Sequence, residues 1–286
     1  MTRMVCSVML CLAVAVADAE TTVSIAVTPS PARQGDCLLV LVRAEESLAP
    51  ECQWEGKSYP LYRVGDAYRA ILPVPPDTPP GPRKLEIVLR DDAGAVTRTT
   101  ARATVAKRNF GVQKLRMKQE ASRVYDDPSV KQEAPTIHAG LAQTADQQLW
   151  QGPFAWPVKA RVSTGFGLAR TINGRIQYRH RGLDLAAPMG AKVFAPAGGI
   201  VRLVRDDFKL HGKTIVLDHG QGVGSIYLHL SEICVVEGQR VNRGERIAKV
   251  GMTGAATGPH LHWGVYVSGQ AVDPRFWVDN LPRAGR

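Results

Sequence analysis

Six of the seven histidines fall between His180 and His262, and two of them close together in Thr257-Gly258-Pro259-His260-Leu261-His262-Trp263-Gly264-Val265-Tyr266. That stretch reads as a turn at Gly258-Pro259 feeding an alternating strand. Residues two apart in a strand share a face, so His260 and His262 look the same way. Two such imidazoles can share one ion, or one can bind it while the other handles a proton. The same parity in His180-Arg181-Gly182-Leu183-Asp184 puts His180 and Asp184 on one side of an extended segment. His180, Asp184 and His262 then supply three protein ligands and leave a fourth tetrahedral position for water. That open coordination is what a catalytic zinc requires.

His-x-x-x-Asp followed later by Gly-Pro-His-x-His is similar to the pattern of the lysostaphin/LytM-type zinc endopeptidases, which cut peptidoglycan cross-bridges. The resemblance runs from about 153 to 280 and takes in more than the ligands. Gly165-Phe166-Gly167, His180-Arg181-Gly182-Leu183-Asp184-Leu185-Ala186-Ala187-Pro188, Leu217-Asp218-His219-Gly220, Tyr227-Leu228-His229-Leu230, Val250-Gly251-Met252-Thr253-Gly254 and Val272-Asp273-Pro274 all follow in family order. It implies a metallopeptidase domain over 153–282, with an antiparallel β fold and a metal groove across one sheet. By the same resemblance, Zn2+ sits on His180, Asp184 and His262, and His260 is the general base. His229 matches the second non-ligand histidine, which orients water or stabilises the transition state. Some members add a tyrosine ahead of the first ligand; Tyr178 is near, with its register open.

The elements that must position these groups are strands. Lys192–Pro196, Gly199–Val204, Thr214–Asp218 and Ser225–His229 have β composition and glycines punctuate them. A sheet holds ligands from distant strands rigidly. His211 and His219 read as structural, and Asp206, Asp207 and Asp218 as turn acids. Trp263 and Phe166 suit either the groove or the core.

Residues 20–106 also read as all-β, with strands expected over 22–27, 37–42, 68–72, 84–89 and 96–100 between Pro/Gly/Asp clusters. The pattern resembles the immunoglobulin-like β-sandwich found ahead of some peptidases of this family. This module has no clustered His, Asp or Glu, so it is expected to position the enzyme or to bind a regulatory protein partner. A connector follows over 107–152. Asp127-Pro128 starts a helix expected over 128–148, in which His138 reads as a solvated surface residue.

Residues 1–19 resemble a secretory signal peptide: Arg3, the apolar run Met4–Val16, and Ala17-Asp18-Ala19 as a cleavage site, with the cut at Ala19/Glu20. The mature chain is therefore expected in the periplasm or secreted, with no transmembrane segment. A lipid anchor at Cys11 is disfavoured by the bulk of Leu10. Processing leaves Cys37, Cys52 and Cys234. Cys37 and Cys52 lie in strands expected to be adjacent, either as buried thiols or as a disulfide worth roughly 3 kcal/mol. Cys234 reads as core.

The net charge of +10 is unevenly placed. Residues 1–150 hold 18 Lys/Arg against 17 Asp/Glu, whereas 151–286 hold 18 against 9. The basic excess serves solubility or attraction to an anionic wall polymer. Nucleic acid is disfavoured, because no basic run carries interleaved aromatics.

These features predict a zinc endopeptidase acting on peptidoglycan peptide cross-links, with a D-alanyl-diaminopimelate bond favoured. The alternative is a non-catalytic wall-binding activator of other hydrolases, against which the complete ligand set counts. A two-His-one-carboxylate iron oxygenase uses the same ligand types, but an export signal and the His-x-His pair count against it.

Overall fold

The structure is a computed structural model that describes residues 12–13, 23–44, 50–116 and 123–280. The expected signal peptide and its cleavage site lie outside the described residues, apart from Leu12–Ala13. Chain contacts divide into two compact units, Met1–Lys107 and Arg108–Arg286. The described residues are mainly β, as expected.

Among the described residues the first unit holds ten strands: β1 (Leu12–Ala13), β2 (Ser24–Thr28), β3 (Ala32–Arg33), β4 (Cys37–Arg43), β5 (Glu51–Trp54), β6 (Lys57–Pro60), β7 (Tyr62–Val64), β8 (Ala67–Pro73), β9 (Gly81–Arg90) and β10 (Val96–Ala106). They form two sheets, ordered β1-β2-β4-β8-β7 and β3-β10-β9-β5-β6. Alternate residues of facing strands, such as Leu38, Val40 and Val42 of β4 and Leu85, Ile87 and Leu89 of β9, bury into one core. Each such side chain contributes roughly 1.5–3 kcal/mol on burial. Trp54 joins them and keeps its polar atom satisfied, its Nε1–H donating to Pro73 O at 2.9 Å.

The cysteine expectation needs correction. β4 pairs with β2 and β8, β5 pairs with β6 and β9, and so Cys37 and Cys52 lie in different sheets as buried thiols that no disulfide joins. Cys52 belongs to the β5–β6 hairpin, whose polar, alternating sequence gives only a weak strand signal. Burial pushes the Cys52 thiol up to about 12.

The second unit opens with β11 (Val112–Leu115) and, after two short 3-10 turns, α1 (Glu133–Ala142). Asp127 caps the second turn, accepting from Ser129 N–H at 2.8 Å, and Pro128 follows at the first position. The helix ends at Ala142, shorter than expected. Residues beyond it take their hydrogen bonds from the sheet instead: Ala145 N–H donates to Asp218 Oδ2 at 2.9 Å and Leu149 N–H to His219 O at 2.8 Å. Ile137 and Leu141, one turn apart, pack on Leu203, Val216, Ile226, Leu228 and Tyr266. His138 is half-buried, not solvated, its ring edge-on to that of Tyr266 with the two centroids 6.2 Å apart.

The remaining strands are β12 (Arg161–Thr164), β13 (Ala169–Ile172), β14 (Arg175–Arg179), β15 (Leu183–Ala186), β16 (Lys192–Phe194), β17 (Gly199–Arg205), β18 (Lys213–Gly220), β19 (Val223–Ile233), β20 (Arg240–Val241), β21 (Arg246–Val250), β22 (Leu261–Val267) and β23 (Gln270–Val272). The main sheet runs β12-β15-β22-β19-β18-β17-β20, while β11, β13 and β14 make a small sheet of their own. Asp184 faces His262 directly across the antiparallel β15–β22 pair, and His262 faces Leu228 of β19. Because successive residues alternate, Trp263 goes to the other side and is fully buried; Phe166 is also core.

Candidate metal centre

The β15–β22 register brings two of the expected groups into contact, and the chain just before β15 delivers the third. His180 Nε2 lies 2.9 Å from Asp184 Oδ1 and 3.0 Å from His262 Nδ1, and His262 Nδ1 lies 3.0 Å from Asp184 Oδ1. The three atoms make a nearly equilateral triangle, and all three residues are buried. Their types suit a divalent cation: two imidazole nitrogens and one carboxylate oxygen. His180 Nδ1–H donates to Gly165 O at 2.8 Å, which leaves the Nε2 lone pair for the triangle. Close backbone approach allows this. A Cβ on Gly182 would stand 2.5 Å from Trp263 O and 2.7 Å from His262 Nε2.

Burial works to raise the Asp184 carboxyl, but the His180 and His262 nitrogens outweigh it and hold the group well below the usual carboxylate range. Burial also lowers His262 to about 4 and His229 to about 3, with neighbouring imidazoles adding to the shift at both. Both rings are therefore neutral near pH 7 and keep a lone pair.

The other two expected residues stand beside the triangle. The rings of His229 and His260 are 4.9 Å apart, and His260 Nε2 is 3.8 Å from Asp184 Oδ1. Each is anchored through Nδ1–H, His229 on Thr253 O at 2.9 Å and His260 on Gly258 O at 2.8 Å. His229 sits at φ +62°, a left-handed conformation that a non-glycine residue holds only when its surroundings impose it. Its own N–H donates to His211 O at 3.0 Å, and Thr253 is in turn tied to Leu230 and Lys213.

A cavity of about 810 Å3 contains the triangle, His229 and His260. It is also lined by residues the sequence did not single out as functional. His211 is one, its Nδ1 2.7 Å from the buried Glu133 carboxylate of α1. Arg170 and Gln113 are others: Arg170 Nη2 reaches Asp184 Oδ2 at 2.5 Å, and its Nε–H donates to Gln113 Oε1 at 2.7 Å. Tyr178 lines the same wall, its hydroxyl 3.5 Å from Arg170 Nη1. No spacing in the sequence announces these contacts, because each depends on which strands and helix the fold sets side by side. His219 is structural as expected, buried between Gly198 O and Ser225 Oγ. Asp218 is a hydrogen-bonded turn acid: buried, it accepts from Arg202, Ala145 and Gly220.

The model of peptidase family M23 matches residues 178–274. An "uncharacterized metalloprotease" of Haemophilus influenzae is 40% identical over 132 residues, which are 45% of this chain and 28% of that protein. The peptidoglycan DD-endopeptidase ShyA of Vibrio cholerae is 39% identical over 128 residues, or 44% of this chain and 29% of that one. The aligned part thus spans less than a third of these curated relatives. A solved Pseudomonas aeruginosa structure, provisionally assigned to peptidase M23, is 30% identical; the match covers 89% of this chain and 96% of that one, with a TM-score of 0.64. With a match of that extent beside the family model, the chain belongs to peptidase family M23.

Proposed function

We propose that the chain is a zinc-dependent endopeptidase that hydrolyses peptide cross-links of bacterial peptidoglycan, with the D-alanyl-diaminopimelate bond as its favoured target. One observation supports this above all others: three zinc-type ligand atoms within 3.0 Å of one another open on a groove that holds two more imidazoles. The likeness to a protein named as a peptidoglycan DD-endopeptidase supports the substrate class.

His180, Asp184 and His262 would hold the ion. When bound, zinc supplies a Lewis acid for the scissile carbonyl and acidifies the attacking water toward a pKa of about 7. His260 takes the proton of that water at Nε2, since Gly258 O occupies its Nδ1–H. The tautomer that Thr253 O imposes on the neutral His229 ring leaves Nε2 as an acceptor, which suits orienting water better than donating to an oxyanion. His260 returns its proton to the leaving amine.

The strand order of the first unit, with β2-β4-β8-β7 in one sheet and β10-β9-β5 in the other, is the order expected of an immunoglobulin-like sandwich. In that role it would position the enzyme or receive a regulatory protein partner. Among the described residues no helix is long and apolar enough to cross a membrane. Export to the periplasm or beyond fits a wall substrate.

The test is incubation of the purified protein with purified wall material, followed by mass spectrometry of the muropeptides and metal analysis. The expected outcome is zinc in the protein and new amine termini at cross-links, both lost after chelation. Wall material left intact by zinc-loaded protein would point to the activator role.

A further inference from the structure

Asp184 places its two carboxylate oxygens differently. Oδ1 faces His180 and His262, whereas Oδ2 receives Arg170 Nη2. The terminal torsion of an aspartate is broad, so nothing in the residue itself fixes how the carboxylate plane meets the metal position. Arg170 fixes it by holding one oxygen aside. It is only 13% exposed, and at such a site a charge-assisted bond is short and directional.

The guanidinium is itself fixed. Gln113 of β11 and Arg170 of β13 are direct partners in a parallel pair, and Gln113 Oε1 accepts the Arg170 Nε–H at 2.7 Å. Tyr178, which pairs with Arg170 across β13–β14, places its ring 6.0 Å from the guanidinium carbon. Neither Gln113 nor Arg170 lies within residues 178–274, the stretch that the family model covers.

We propose that Arg170, oriented by Gln113, is a positioning residue that holds Asp184 as a one-oxygen metal ligand, so that β11, well ahead of the family-matched stretch, is a working part of the metal centre. The inference rests on His180, Asp184 and His262 being the zinc ligands. With Oδ2 taken, Oδ1 alone is presented beside the two imidazole nitrogens. The position the scissile carbonyl and water must share stays open. Gln113 acts at one remove: without its oxygen, the buried Arg170 Nε–H loses its acceptor and the fork can turn away from Asp184.

The test measures zinc affinity by competition with a chromophoric chelator, and thermal unfolding of the metal-free protein, in full-length Arg170→Gln, Gln113→Leu and Gln113→Glu. Zinc affinity is expected to fall about 10- to 100-fold in Arg170→Gln and at least about 3-fold in Gln113→Leu. Gln113→Glu, which keeps the acceptor, should stay within about 2-fold of the parent. A plain structural ion pair predicts otherwise: lower unfolding temperatures with zinc affinity unchanged. That result, or tighter zinc binding on loss of the arginine, overturns the proposal. If Arg170→Gln does not fold, Gln113→Leu decides, since it leaves the net charge and the ion pair in place. Failure of the parent protein to bind zinc would instead sink the metallopeptidase assignment on which the proposal stands.

Discussion

His180, His229 and His260 each commit Nδ1 to a backbone carbonyl and turn Nε2 into the groove, and that commitment limits what each ring can do. His262 sends Nδ1 into the triangle, whereas His260 spends Nδ1–H on Gly258 O and leaves Nε2 for the proposed proton transfer. His262→Ala is therefore expected to abolish stoichiometric zinc binding. His260→Ala should keep the metal and lose turnover by about 100-fold or more, the usual scale of general base catalysis. Zinc content and initial rate on a cross-linked peptide check both, and equal metal loss in the two variants would refute the division of labour. These residues were legible in the sequence because strand parity fixes which side chains share a face. Arg170, Gln113 and His211 were not, since each acquires its role from a partner on another strand or helix.

At the scale of elements, α1 is more than a cover for the sheet. Its first residue, Glu133, is 5% exposed, and its carboxylate accepts from the N–H groups of Lys209 at 2.7 Å, Leu210 at 3.1 Å and His211 at 3.0 Å. His211 Nδ1 makes a fourth contact at 2.7 Å. Burial works to raise this carboxyl, but the donors prevail and keep it below its ordinary value. Because His211 O holds His229 N–H, the helix start sets the backbone of His229, the histidine proposed to orient water, two steps away. Glu133→Ala would leave several buried donors without an acceptor, so a stability loss of about 3 kcal/mol is expected. Denaturant unfolding measures it, and turnover should fall with zinc content intact. In the sequence, Glu133 is one acid inside the stretch expected to be helical over 128–148, with nothing local to mark it. The cap at Asp127-Pro128 was readable, although it opens a 3-10 turn that leads into α1 at Glu133; the end was not, because the sheet rather than a local signal competes for the N–H groups beyond Ala142.

Over the whole molecule, the histidines lie in the second unit, from His138 onward. His219 is fully buried there, with Gly198 O at one nitrogen and Ser225 Oγ at the other, and burial lowers it to about 4. Its folded pKa lies below the unfolded value of about 6.5, so the unfolded chain binds the proton first as pH falls. Stability from this group is full above pH ~6.5 and is lost between there and pH ~4, by roughly 3 kcal/mol. Calorimetry of the metal-free protein across that window should show the loss in the second unit's transition, and a smaller one in His219→Gln. An equal slope in parent and variant would count against it.

What the sequence determined by itself was local. The period of apolar residues makes strands, parity places His180 with Asp184 and His260 with His262, and the glycine and proline clusters set where the sheets turn. What only the tertiary structure decided was which strands lie side by side. The β15–β22 register closes the ligand triangle, β11 beside β13 carries Gln113 to Arg170, and β4 and β5 in separate sheets leave Cys37 and Cys52 apart. The physical reason is that strand pairing is settled by burial summed over a whole sheet. No single residue's neighbours in the chain carry that information.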